Sequence, residues 1–481
     1  PHIFGSAPIA CCINFTSRRQ SSLRASSGIA LRNDATLAVV FFVLSSALAI
    51  VVSPQIVRRK WTSHVRYIDM KKLVIAHQGV VAATLLVALA SNLSAQSSTG
   101  AGVRPGISVL MSDSLHLIRG KRVGLITNHT AQDEHGQSSI DILANAPGVQ
   151  LTALFGPEHG IRGTAEGGAH IATDRDAKTG IPIYSLYGDT RVPSAQMLSN
   201  VDVLIYDIQD VGARMYTYVW TMTLAAEAAK KAGKEFIVLD RPNPIRADVA
   251  EGGLIDKRYR SFTGLHNVPV RYGLTPGELA RYLVGTGQIS ADIIVIPMSG
   301  YKRTMWWDDT ALSWIAPSPN IRDTRAALLY PGISFFEATN VSEGRGTAEP
   351  FGVVGASWLT DAPSIARSMN AKHLGGVKFE SVSRAIGKGE KFGGQTIPMI
   401  HIIVTDRNAV RSTEIGAQLL REIYVRHPRQ FKWQRGSGIE ELSGSRMLRN
   451  SVEGGGIDKL LAGWRHQSAT FIKESGRARL Y

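Results

Sequence analysis

Two stretches of the chain place a carboxylate and a guanidinium between glycines. The first is Gly156-Pro157-Glu158-His159-Gly160-Ile161-Arg162-Gly163, and the second is Glu343-Gly344-Arg345-Gly346. Glycine admits backbone conformations that other residues resist, so its density in these stretches implies loops of constrained shape. A carboxyl group in such a loop can hold or take a proton, and a guanidinium can pair with an anionic ligand through two parallel hydrogen bonds. Three further polar groups follow short apolar runs: Asn128-His129; Asp207 with Asp210 and Arg214; and Asp240-Arg241 with Asn243.

The apolar runs are the elements that must position these groups. Arg122–Thr127, Val149–Phe155, Ile181–Leu186, Val201–Tyr206, Glu235–Leu239 and Asp292–Met298 read as strands. Helical spacing from Ser138 to Leu143 and from Tyr218 to Ala232, the latter closed by Gly233, alternates with them. Alternation of this kind builds βαβ units and a mostly parallel sheet, whose ligands bind beyond the carboxyl ends of the strands. The polar groups therefore gather at one edge of one sheet. The first strand runs into Thr127-Asn128-His129-Thr130 without the glycine fingerprint of a dinucleotide site. Neither a Walker A sequence nor a Gly-x-Ser-x-Gly elbow occurs. No cofactor is called for.

Further on, Trp306-Trp307-Asp308-Asp309 and Trp314 offer aromatic faces beside acids, as a sugar-binding wall needs. An aromatic core patch is the alternative, favoured by how buried tryptophan usually is. Tyr330–Thr347 reads as another strand opening into the Glu343 loop. The remainder reads as a smaller α+β part, with strands at Val377–Ser381 and Met399–Thr405 and helices at Ser412–Arg426 and Ile457–His466.

With 481 residues, 44% hydrophobic and 19% charged, the chain has an ordinary globular balance and room for two or three domains. Residues 1–72 supply +8 of the net charge of +15, and the rest carries no basic run with interleaved aromatics, so nucleic acid is not the expected partner. Both cysteines, Cys11 and Cys12, lie near the start, which removes thiol chemistry from the body. Met70-Lys71-Lys72, an apolar run and the small-residue end Ala88–Ala95 have the three parts of a secretory signal peptide. Residues 1–69 then read as a mis-called upstream segment, 96–105 as a tether, and the mature protein as exported, periplasmic or secreted, with no stable membrane insertion.

In order, Gly120–Asn128, Gly156–Gly160, Tyr206–Arg214, Asp240–Pro244, Pro317–Asn320 and Glu337–Thr347 form a series that resembles one bacterial family. That family, long labelled a domain of unknown function, is now associated with exo-β-N-acetylmuramidases (NamZ-like, glycoside hydrolase family 171). The resemblance covers residues 105–481. It implies a Rossmann-like domain, 106–325, followed by a smaller α+β domain, 326–481, with the active-site cleft between them. It also implies release of terminal N-acetylmuramic acid from the non-reducing end of peptidoglycan fragments, so that muramyl saccharides are the partners. Ile321-Arg322-Asp323 departs from the family's more usual Met-Pro-Thr.

By this resemblance Glu158 inherits the catalytic-glutamate role, and Glu343 is the choice for the second carboxyl. Glycoside cleavage pairs a protonated acid with an ionised base or nucleophile, and a free glutamate titrates near ~4.3, so the acid must be held protonated by its surroundings. Glu158 is expected to be that acid, with Glu343, Asp207 or Asp210 as its counterpart. Arg162, Arg214 or Arg345 is expected to meet the lactyl carboxylate. Asn128, His129, His159, Asp207, Asp210, Tyr216 and Asn340 complete the expected substrate-facing set. Two alternatives remain: a metal-dependent hydrolase built on His129, His159, Asp207, Asp210 and Asp240, and a periplasmic sugar-binding protein without turnover.

Overall fold

Seven short strands make the larger sheet: β1 Arg122–Thr127, β2 Gln150–Gly156, β3 Asp174–Arg175, β4 Pro182–Ser185, β5 Val203–Asp207, β6 Glu235–Leu239 and β7 Ile293–Ile296. The computed structural model describes residues 102–158, 160–161, 174–188, 190–434, 436 and 438–481, all within one compact unit, Ala95–Tyr481. The expected signal peptide, the segment before it and most of the tether lie outside the described residues.

The strands lie in the order β3-β4-β2-β1-β5-β6-β7. Every neighbouring pair is parallel except β3 with β4. Ranked by chain position, the parallel strands run 3-2-1-4-5-6, the order of dinucleotide-binding sheets. β1 sits centrally, with Leu125 opposite Leu154 on one side and Ile205 on the other. β5 is buried at all five positions, as a strand covered on both faces must be. Helices Gly106–Asp113, Ser139–Ala144, Tyr218–Lys231 and Pro276–Gly285 pack against the sheet, on β1, β2, β6 and β7.

Local sequence starts and stops these helices as physical chemistry requires. The Ser138 hydroxyl accepts from the Ile140 amide at 3.2 Å, and Thr275 with Glu278 forms a capping box. Gly233, with φ of +67°, ends the Tyr218 helix.

The second half departs from expectation at one place. Instead of a strand leading into the Glu343 loop, Thr324–Ile333 is a helix, continued by a 3₁₀ turn at Ser334–Ala338. The Asp323 carboxylate caps it by accepting from the Ala326 amide at 2.7 Å. The helix lies so close to helix Ser412–Arg426 that a Cβ on Gly332 or Gly416 would collide with the opposing backbone. Beyond it β8 Val353–Gly355, β9 Val377–Ala385 and β10 Thr396–Val404 form an antiparallel sheet ordered β8-β10-β9. The helix predicted from Ile457 runs on to Glu474.

One hydrophobic core runs through both halves and includes Tyr206, Trp220, Phe335, Phe351 and Leu419. Among the described residues no helix is long and apolar enough to cross a membrane.

Candidate active site

A cleft of about 880 Å³ opens beyond the carboxyl ends of β2, β4 and β5. Its floor and walls come from both halves of the molecule. Glu158, Tyr216, Thr217 and Ser318 belong to the first half, while Tyr330, Glu337, Arg345 and Phe351 belong to the second.

Glu158 stands two residues past the end of β2, and its Oε2 accepts a hydrogen bond from the Thr217 hydroxyl at 3.1 Å. Tyr218, next along, donates to the Pro317 carbonyl at 2.8 Å, and its hydroxyl lies 3.4 Å from the Glu158 carbonyl. The Glu158 loop is thereby tied to the start of the Tyr218 helix and to the Pro317 segment. Tyr216, Tyr330 and Phe351 form a run of edge-on aromatic contacts along the cleft, with centroids 6.0 and 4.8 Å apart.

Glu337 faces the same cleft from the 3₁₀ turn. Arg345 Nη2 donates to Glu337 Oε1 at 2.8 Å, and its Nε lies 3.2 Å from Glu343. Lys391 closes the far side, donating to Glu343 at 2.9 Å and to the carbonyls of Phe336 and Val341 at 2.9 and 3.1 Å. Two carboxyl groups and two cations are thus linked in one network. Burial pushes the Glu337 carboxyl above the usual range, Arg345 opposes this, and the Glu343 charge reinforces it. Gly344, at φ of +87°, sets the turn that aims Arg345, because a Cβ there would stand 2.8 Å from the Val353 carbonyl oxygen.

The structure places Glu158, Tyr216 and Arg345 in one cleft lining, and most of the other expected residues elsewhere. Glu343 is buried behind Arg345, outside the cleft lining, and Glu337 is in that lining. The helix through Thr324–Ile333 and its 3₁₀ turn put Glu337, rather than Glu343, at the wall.

The other strand-end groups knit loops together instead of facing a ligand. Asp207 is fully buried, bridging to Arg241 at 2.5 Å and accepting from Ser139 at 2.5 Å. Asp210 accepts from the Gly212 amide at 2.7 Å and from Tyr272, and burial pushes it up to about 6. Arg214 is fully enclosed and donates to the carbonyls of Gly253, Val268 and Leu442 at 2.7–2.9 Å. Asn128 accepts from Thr130, His129 Nε2 lies 2.8 Å from the Ala316 carbonyl, and Asn340 braces Gln430 and Lys432. His159 and Arg162 lie outside the described residues. In an open doubly wound sheet the crevice at the switch between β1 and β5 receives the ligand. Here the Asp207–Arg241 pair fills it, and the open space lies further along the sheet, toward β2 and β4.

Nor do the tryptophans wall the cleft. Trp306 and Trp307 are buried, Trp307 packs edge-on against Trp314 at 5.2 Å, and the Trp306 indole donates to Asn408 at 3.0 Å. Among the described residues no group of three or more His, Cys, Asp or Glu side chains could hold a metal ion. Residues missed by sequence reading include Glu337, Thr217, Tyr187, Arg191, Phe262, Lys388 and Glu390. Lys388-Gly389-Glu390 repeats the opening signal, opposite charges about a glycine, and was legible in the sequence on that ground.

Asp240, just past β6, yields a stability prediction. It is buried, accepts from Thr275, the Gly277 amide and Tyr481 at 2.7–2.8 Å, and is pushed up to about 7 by burial. An unfolded aspartate titrates near ~3.9, so between the two values the folded chain binds more protons than the unfolded one, and stability falls as pH rises. The shift to about 7 corresponds to a contribution on the order of 4 kcal/mol, lost by pH 8. In urea titrations, the unfolding midpoint of Asp240→Asn is expected to fall less between pH 5 and 8 than that of the wild type. Parallel slopes would contradict the assignment.

Fold and cleft together place two carboxyl groups, Glu158 and Glu337, in one cleft beside a Rossmann-like sheet, an arrangement that glycoside hydrolysis can use. Two family profiles match the chain, exo-β-N-acetylmuramidase NamZ, N-terminal, over residues 123–325 and exo-β-N-acetylmuramidase NamZ, C-terminal, over 328–481. The chain belongs to the NamZ exo-β-N-acetylmuramidase family. It is 39% identical over 380 residues, 79% of this chain and 91% of the relative, to the peptidoglycan β-N-acetylmuramidase NamZ of Bacillus subtilis (strain 168). Crystal structures of two DUF1343 family proteins from Bacteroides fragilis NCTC 9343 are also similar, each matched over 79% of this chain and 99% of its own. One gives a TM-score of 0.74 at 36% identity and the other 0.62 at 28%.

Proposed function

We propose that the protein is an exo-acting glycosidase that releases terminal N-acetylmuramic acid from the non-reducing end of peptidoglycan fragments, serving cell-wall turnover. The observation that carries this reading is that Glu158 and Glu337 line one cleft from opposite halves of the chain. Glycoside hydrolysis needs two such groups in unlike states. Glu337, which burial pushes above the usual carboxyl range, is assigned as the acid that protonates the leaving oxygen. Glu158, which accepts the Thr217 hydroxyl hydrogen bond, is assigned the complementary role, as nucleophile toward the anomeric carbon or as base toward the attacking water. This reverses the role expected for Glu158 from sequence. Tyr187 and Phe262, partly exposed in the cleft lining, offer ring surface to the sugar. The reading includes export: the Met70–Ala95 pattern would deliver the enzyme to a compartment where wall fragments occur.

Incubation of the purified protein with a chromogenic β-N-acetylmuraminide, beside the matching glucosaminide, tests the activity. Release of chromophore from the muraminide alone is expected, and no release from it would refute the proposal. The roles have their own signature. An acid must be protonated to work, so kcat/KM falls as pH rises through the pKa of Glu337, and the alkaline limb disappears in Glu337→Gln while any acid limb remains. Loss of the acid limb instead would exchange the two roles.

A further inference from the structure

We infer that Arg322 is a specificity residue that receives a carboxylate carried by the substrate; the inference rests on the muramidase reading. The cations nearest the catalytic pair are already committed. Arg345 is shared between Glu337 and Glu343, at 2.8 and 3.2 Å, and Arg214 is enclosed by carbonyls away from the cleft. An anionic substrate needs a guanidinium or ammonium whose charge is not already balanced. Among the described residues, the cleft-lining cations without a carboxylate partner are Arg191, Arg322 and Lys388.

Of these three, Arg322 is the one held ready. Arg191 lies over the Phe262 ring, 4.1 Å from its centroid, and Lys388 is a point charge on a long stem in the turn between β9 and β10. The Arg322 guanidinium is fixed twice, Nε donating to the Pro319 carbonyl at 3.0 Å and Nη1 to the Thr347 carbonyl at 3.2 Å. Both acceptors are neutral, so the full charge is retained. Nη2 donates to no protein acceptor among the described residues, and the side chain is exposed at the cleft. A planar fork with its orientation already set loses little freedom on meeting a carboxylate.

The brace also places it well. Pro319 and Asn320 line the first-half wall, and Thr347 closes the loop that carries Arg345 and Gly346 on the second-half wall. Arg322 therefore spans the seam of the cleft, beside the catalytic pair and not in it. A muramyl substrate has two sources of carboxylate, the free lactyl group of the sugar and the acidic residues of a peptide attached through that group. The chemistry at Arg322 is the same for both.

The test compares the full-length wild type with Arg322→Met and Arg322→Lys on three chromogenic β-N-acetylmuraminides. The first has the free lactyl acid, the second its methyl ester, and the third an acidic peptide in amide linkage at the same position. In Arg322→Met, KM is expected to rise about tenfold or more on a carboxylate-bearing substrate, with kcat changed less than twofold and the ester unaffected. Arg322→Lys should recover part of the loss. A rise on the free acid identifies the lactyl group as the source, and a rise confined to the peptide substrate identifies the peptide. An equal rise on all three, as a merely structural role would give, or no rise on any, overturns the inference and leaves the muramidase reading standing. A wild type inactive on all three overturns that reading and the inference together.

Discussion

Glu158→Gln is expected to lower kcat on a chromogenic β-N-acetylmuraminide by about three orders of magnitude or more while leaving the fold unchanged. The amide keeps the volume of the side chain and can still take the Thr217 hydroxyl hydrogen bond through its oxygen. It cannot attack the anomeric carbon or take a proton from water. The substitution therefore separates chemistry from structure. Circular dichroism and the thermal midpoint should match the wild type, and KM should move far less than kcat, because the surrounding Tyr216, Ser318 and Tyr330 still line the cleft. A variant with more than a tenth of wild-type turnover would remove Glu158 from the mechanism.

Arg214→Met should lower folding stability by about 3 kcal/mol or more, read as a shift of the denaturation midpoint. Two effects compete. Methionine relieves the cost of burying a guanidinium without a carboxylate, a cost visible in the way burial pulls Arg214 down to about 9. Methionine also leaves three buried carbonyls, those of Gly253, Val268 and Leu442, without their donors. Each charge-assisted bond is worth roughly 1.5–3 kcal/mol, and there are three, so the second effect wins. Arg214→Lys is not a rescue, since a single ammonium lacks the rigid fork that serves three acceptors. An unchanged midpoint in Arg214→Met would show that the carbonyls find other partners.

These two residues also show how far the sequence could be read. Periodicity located six of the seven strands of the larger sheet, often to within a residue or two, and missed the two-residue edge strand Asp174–Arg175, which is exposed and polar. The loop after β2 announced Glu158 through its glycines. What sequence could not separate was Glu158 from Arg214. Both follow strands, both are charged, and an enclosed guanidinium serving carbonyls is written with the same letter as one awaiting a ligand. The rule that ligands sit at strand ends pointed at Asp207, Asp210 and Asn128, yet the loops there bend onto one another and consume those groups. Glu337 and Glu343 differ by six residues in one motif. The choice between them turned on whether Tyr330–Ala338 is strand or helix, and its aromatic and apolar residues suit either.

The turn joining β9 to β10 has a consequence for how this site can change over time. Lys391 holds the backbone of Phe336 and Val341 from below, while Lys388 and Glu390, three residues and one residue earlier, face the cleft. Brace and wall share one short segment. Point substitutions at Lys388 or Glu390 can retune the charge of the cleft in a single step, leaving the support of Glu337 in place. An insertion or deletion in the same turn cannot, because it would drag Lys391 and displace the segment that carries Glu337. Divergence here is open to changes of residue and closed to changes of length.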